Sequence, residues 1–259
     1  LSWILGCALG RWDIQKTQLE PASGNLSNKF SPLPICPLGQ LQNEQGLPAG
    51  QEDVPSSYPV RIPWDGILVD DSNHPLDLER RVREVIEIIW SGKEGGPTDK
   101  AIEQEACNIL GVKTLRDYFR KPVGFFADHL KRYSKSRRQA PIYWQLSAGN
   151  ASYSAWLYYH RFTQDTLYRV LGDFVEPRIQ GAEREKFELE SQGGMSGDAA
   201  TLLHEAHTLL QDLRLFKSEL ELVAPLWNPN LKEWRDHQPR HSLAHYALHP
   251  LAEKVQGVL

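Results

Sequence analysis

The sequence predicts a mainly α fold carrying one β-hairpin (α+β): short helices around an aromatic hairpin, followed by a long antiparallel helical hairpin. Three observations predict it. PIYWQLSAGNASYSAWLYYHR, Pro141 to Arg161, alternates side chains in two short aromatic runs around Gly149-Asn150, a dipeptide that marks a tight turn. Stretches on both sides of it repeat apolar residues at helical spacing. Near the end, Ala199, Leu202, Ala206, Leu209, Leu213, Phe216, Leu220 and Val223 step by three and four alternately, which is a coiled-coil seam.

The hairpin register follows from its turn. With Gly149 and Asn150 as a two-residue loop, Ala148 faces Ala151. One face then carries Ile142, Trp144 and Leu146 with Tyr153, Ala155 and Leu157. The other carries Tyr143, Gln145 and Ser147 with Ser152, Ser154, Trp156 and Tyr158. A lone hairpin is marginal in water, so the apolar face is expected to lie on the flanking helices.

The remaining elements come in order. Leu1–Arg11 reads as a short buried helix in which Gly6 and Gly10 allow close packing, and residues 1–16 as the continuation of an upstream domain. Residues 17–60 are rich in Pro, Gln and Gly without periodicity, and read as a linker or long loop. Asp65-Gly66 is a turn signal before the apolar Ile67-Leu68-Val69. From about Asp77 to Trp90 a helix places Leu78, Val82, Val85, Ile86 and Ile89 on one face. Thr98 caps a second helix that stops at Gly111, and Thr114-Leu115-Arg116-Asp117 has the spacing of a capping box for a third. Pro122 breaks that one, and Gly124–Tyr133 reads as a fourth.

Beyond the hairpin, Thr163 is the expected N-cap of a helix bearing Leu167, Val170, Leu171 and Phe174, which Pro177 should kink or end. Residues 61–177 thus form one helical and β-hairpin module, 178–223 the helical hairpin with its heptad seam, and 224–259 a tail. The seam's natural partner is the preceding helix folded back on it; a seam shared with another chain is the alternative.

A net charge of −4, with 41% hydrophobic and 24% charged residues, is ordinary for a globular chain. No apolar run is long enough to span a bilayer, so no membrane is expected as a partner. Three widely spaced cysteines, Cys7, Cys36 and Cys107, suit free thiols in a reducing cytoplasm better than a disulfide framework. The chain opens on leucine with no basic residues ahead of Leu1–Leu9, so it reads as a piece of a longer protein without a signal peptide.

Motifs that carry chemistry are few. No glycine-rich strand-to-helix loop for phosphate or a dinucleotide is present. Asn228-Pro229-Asn230 lacks the second proline and aromatic ring of an amino-methyltransferase motif and reads as a loop. His204-Glu205-Ala206-His207 spaces its histidines three apart, where a zinc helix needs four, so these read as solvated helix-face residues. His237, His241, His245 and His249 recur every four residues, but prolines interrupt the region and neither a cysteine nor an obvious acidic ligand joins them. Ser147 and His160 have no third member for a triad. No catalytic, cofactor or metal residue is expected in this chain.

The positive signal is electrostatic. Lys113, Arg116, Arg120, Lys121, Lys131, Arg132, Lys135, Arg137 and Arg138 stand against only Asp117 and Asp128 in their stretch. Residues 176–223 by contrast hold ten acids and five bases. Cations beside aromatic strands are what a phosphate-contacting surface needs, and the alternative is an ordinary solvated face.

Four long segments resemble the C-terminal region of the large adenine-specific DNA methyltransferases of bacterial phage defence, the BREX-type PglX-like proteins and their relatives. They are LSWILGCALGRWD, YPVRIPWDGILVDD at Tyr58–Asp71, LRDYFRKPVGFFADHLKRYSKSRRQAPIYWQLS at Leu115–Ser147 and SYSAWLYYHRFTQDTLYRVLGDFVEP at Ser152–Pro177. The resemblance weakens after Glu183 and returns faintly at Ala244-His245-Tyr246-Ala247. It implies double-stranded DNA as partner, and within its best-matching segment the basic run supplies Arg120, Lys121, Lys131, Arg132, Lys135, Arg137 and Arg138 as the expected contacts. It implies S-adenosylmethionine as cofactor of the full-length enzyme, with the catalytic domain upstream of this chain. The competing expectation is a non-enzymatic helical interaction module that docks other phage-defence subunits.

Overall fold

Local chemistry sets several helix limits in the structure, a computed structural model that describes residues 1–16, 36, 39–90, 98–121, 123–135, 138–139, 141–191 and 197–227. Mainly helical, with a small sheet containing a β-hairpin, the chain divides into two units, Leu1–Leu68 with Ser72–Tyr118 and Val69–Asp71 with Phe119–Leu259.

In the first unit α1 (Ser2–Ala8) packs on α2 (Leu78–Trp90), burying Leu5, Leu9, Leu78, Val82, Val85 and Ile86. The apolar stripe of α2 is what makes this burial possible. α3 (Asp99–Leu110) opens with Thr98 Oγ1 accepting from the Ala101 amide at 3.3 Å and ends at Gly111 in the left-handed region, φ 64°. α4 (Leu115–Arg120) begins with a reciprocal box. The Asp117 amide donates to Thr114 Oγ1 and the Thr114 amide to the Asp117 carboxylate, each at 3.1 Å. Part of the expected linker is folded: Trp12 bridges Gln40, Gln42 bridges Pro48, and Asn43 Oδ1 accepts from the Gln45 and Leu47 amides. Tyr58 Oη accepts from the Ile14 amide at 3.0 Å and donates to Asp13 at 3.2 Å.

In the second unit the sheet order is β1 (Ile67–Val69), β5 (Ser154–Tyr158), β4 (Tyr143–Ser147), and the Asp70 amide donates to the Ser154 carbonyl at 2.8 Å. β4 and β5 are antiparallel, pairing Tyr143 with Tyr158 and Ser147 with Ser154. This register differs by two residues from the one a Gly149-Asn150 loop requires. The Ala148 amide instead donates to the Tyr153 carbonyl, and Gly149–Ala151 forms a 3-10 turn closed by Ser152. An even shift leaves every side chain on its expected face.

Both faces are covered, not the apolar one alone. On one, Trp156 is fully buried among Phe119, Phe125 and Phe126, with centroids 5.7, 5.4 and 6.3 Å away. On the other, Tyr153 meets Phe216 of α8 (Gly197–Val223) at 6.2 Å. Residues that read as polar or amphipathic are buried because α5 (Phe125–Tyr133) lies over them. His129 of α5 pins this arrangement: its Nε2 accepts the Ile142 and Tyr143 amides at 2.9 and 3.2 Å.

At α6 (Thr166–Arg169) the N-cap position falls on Asp165, which makes no side-chain capping bond, not on Thr163; the Thr163 amide donates to Thr166 Oγ1. Pro177 does not end the helical run it sits in. A six-residue π-helical segment, Val170–Val175, leads directly into α7 (Glu176–Ser191), and the widened turn lies just ahead of the residue that has no amide to donate. α7 and α8 pack antiparallel, laced by Lys217–Glu176 and Arg214–Glu183, both at 2.8 Å. The seam of α8 is only partly as expected. Leu213, Phe216, Leu220 and Val223 are buried, but Leu210 is buried and Leu202 is 51% exposed. The stripe serves the sheet as well as α7, which shifts it at its N-terminal end.

Candidate nucleic-acid interface

The basic run separates into residues held by acids and a second group that includes the exposed Lys121, Lys131 and Arg132. Arg116 belongs to the first group. Its guanidinium grips both oxygens of Asp77 at 3.0 and 2.8 Å, and its Nε donates to Glu79 at 3.0 Å. Asp77 and Glu79 are buried, so this is an internal ion pair with bidentate geometry. Arg83 extends it, bridging Glu79 at 3.1 Å and Glu103 at 2.7 Å.

Arg120 is likewise committed. Its Nε donates to the buried Asp70 at the end of β1. Beside it Arg178 of α7 reaches Asp71 at 3.6 Å and Glu185 at 3.1 Å. The pair of acids closing an apolar strand is the sequence signal for this network, and charge counting over 113–138 alone misses it. Arg120 also lines a groove with Glu185, Glu188 and Glu205, whose carboxylates repel phosphate.

The second group starts at the end of α5. Its inner face is buried through Phe125, Ala127 and His129, which leaves Lys131 and Arg132 exposed in the last turn, where the helix dipole favours cations. Lys131 lies 3.7 Å from Asp128, an exposed contact of little energetic weight. The chain passes straight from α5 into β2 (Ser134–Lys135), which pairs antiparallel with β3 (Arg138–Gln139), so Lys135 and Arg138 are Cα partners. The basic run is therefore a helix end continued as a two-stranded ribbon. Arg137 lies outside the described residues. Lys121, just past α4, is exposed.

Other candidates do not assemble into sites. Ser147 pairs with Ser154 at the turn end of the hairpin, whereas His160 follows β5 at the opposite end. His204 and His207 are exposed on α8, with His207 3.9 Å from Glu190. Among the described residues no three metal-ligating side chains cluster, and no helix is long and apolar enough to cross a membrane. Asn228-Pro229-Asn230 and the histidines from His237 to His249 lie outside the described residues.

Burial also sets the titration of several groups. It pushes the Tyr153 phenol well up, with Asp71 adding to the effect and Arg178 opposing it. Cys7 is raised by burial and then by Asp13, and Cys107 mainly by burial. All three cysteines are buried free thiols, poorly disposed to act as nucleophiles.

No family model matches the chain. Over 195 residues, 73% of its length, the chain is 31% identical to the adenine-specific methyltransferase PglX of Lacticaseibacillus casei (strain Zhang). It spans 14% of the length of that much larger protein, so it is similar to one part of an adenine-specific methyltransferase.

Proposed function

We propose that this chain is the DNA-engaging, C-terminal part of an adenine-specific DNA methyltransferase of the restriction or phage-defence type. Lys121, Lys131, Arg132, Lys135, Arg137 and Arg138 contact the phosphate backbone of the duplex in this reading, while Arg120 serves the fold through Asp70. The observation that carries it is the exposed cationic end of α5 running directly into the β2–β3 ribbon. Cations there release counterions from DNA, and a two-stranded ribbon is narrow enough for the major groove. The similarity to PglX, an adenine-specific methyltransferase by name, supports this reading; in it the full-length protein would move a methyl group from S-adenosylmethionine to the exocyclic amine of adenine. Cofactor and catalytic residues then belong to the rest of that protein. The buried free thiols favour a cytoplasmic setting.

Salt dependence tests the assignment. With Lys131, Arg132, Lys135, Arg137 and Arg138 on phosphate, log K against log salt has a slope of about −4 to −5 on duplex DNA. Replacing Arg137 and Arg138 by Ala flattens it by about 2. An unchanged slope removes the ribbon from the interface.

A further inference from the structure

We infer that the groove between the C-terminal end of α7 and the N-terminal half of α8 docks a basic amphipathic helix of a partner protein. The groove encloses about 780 Å³, with Leu189, Leu202 and Leu209 among its lining and Glu185, Glu188 and Glu205 as its carboxylates. Two independent features specify the occupant. The first is the heptad seam. From Leu213 to Val223 the seam is filled, but Leu202 is 51% exposed and Leu209 only partly covered. Alternating apolar positions that no helix covers among the described residues form the holes into which a further helix inserts its knobs.

The second feature is charge. Arg178 answers Glu185 at 3.1 Å, while Glu188 and Glu205 have no cationic partner among the described residues. Arg120, at the edge of the groove, is neutralised by Asp70. Outside the groove's lining, against Gly149 of the hairpin turn, Asp212 is only 7% exposed and its Oδ2 has no hydrogen-bond partner. An apolar floor inside an acidic field is complementary to a helix with leucines on one face and lysines or arginines beside them. The same field repels nucleic acid. This docking site is independent of the cationic end of α5, and the two readings stand or fall separately.

The test is a fluorescence-anisotropy titration of the 259-residue chain into a labelled helical peptide of about 18 residues, with leucine at a and d positions and lysine elsewhere. Saturable one-to-one binding is expected. Leu202→Glu and Glu205→Lys should each weaken it by roughly tenfold or more. Both positions are exposed, and unchanged helical circular dichroism confirms folding. A control peptide with glutamate in place of lysine should not bind. The inference is overturned if the lysine peptide does not saturate, as when another segment of the same chain already fills the groove. It is also overturned if Leu202→Glu leaves the affinity unchanged, or if the glutamate peptide binds equally well. A dimer in sedimentation that Leu202→Glu dissolves makes the occupant a second copy of this chain, and overturns it too.

Discussion

Gly149, at the hairpin turn, lies against the carboxylate of Asp212 on α8, so close that a Cβ there would stand 2.8 Å from Oδ1. Asp212 is itself buried and has little room to withdraw. Gly149→Ala is therefore expected to destabilise the chain by about 1–3 kcal/mol in urea unfolding, the usual cost of overpacking. Truncating Asp212 to Ala in the same protein should recover much of that loss in a double-mutant cycle, whereas strict additivity would mean the two residues do not meet. Two residues on, Ala151 has φ 52°. Ala151→Gly relieves that left-handed strain, and a gain of up to about 1 kcal/mol is expected.

His129 can be tested without disturbing packing. Its ring stacks on Phe125 at 5.8 Å while Nε2 holds the Ile142 and Tyr143 amides. His129→Phe keeps an aromatic ring and removes the acceptor, which leaves two buried donors unsatisfied. A loss of roughly 2–4 kcal/mol is expected. A Phe variant as stable as the parent would show that the two amides find other partners.

Alkaline pH should destabilise this protein chiefly through the buried phenol of Tyr153. Tyr153 is raised above its ordinary value of 10.0, chiefly by burial, and Tyr58 is raised by burial as well. Below pH 10 both states keep the proton and the full stability remains. Above it the unfolded chain releases the proton and the folded chain holds it, so stability falls as pH rises. The fully buried Tyr153 contributes a slope of about 1.4 kcal/mol per pH unit, and the half-buried Tyr58 less, because solvent screens it. Melting temperatures between pH 9 and 11.5 should drop more slowly in Tyr153→Phe than in the parent. Parallel curves for the two proteins would dismiss Tyr153 as the group responsible.

What could be read from the sequence depended on how local the determining contacts are. Thr98, Gly111 and the Thr114–Asp117 box set helix ends through bonds within four residues, and their spacing is visible in the chain. The hairpin's faces were legible because side-chain alternation survives a two-residue shift. Its register was not, because it depends on Asp212 and Phe216 of α8 packing against the turn and the strand beyond it. The π-helical segment before Pro177 and the exchange of Leu202 for Leu210 likewise reflect tertiary packing. In the candidate interface the cationic run was plain, but its division was hidden. The carboxylates that claim Arg116 lie 37 and 39 residues earlier, and the one that claims Arg120 lies 50 earlier.

That division makes the last prediction. If Arg116 is structural and Lys131 and Arg132 face DNA, the two kinds of base must fail in different measurements. Arg116→Ala removes a paired cation from Asp77 and Glu79, 2% and 7% exposed, although Glu79 keeps Arg83 at 3.1 Å. Breaking a buried pair from one side costs about 3–5 kcal/mol, so a large fall in the urea midpoint is expected. Under conditions where the variant is still folded, its salt slope on duplex DNA should match the parent's. Lys131→Ala and Arg132→Ala remove exposed side chains and should leave stability within about 0.5 kcal/mol. Each should instead flatten the salt slope by about 1 and weaken binding equally across DNA sequences. The decisive outcome is the pairing of the two readouts. A Lys131 variant that unfolds early, or an Arg116 variant that stays stable and loses phosphate contacts, would reverse the roles assigned to these residues.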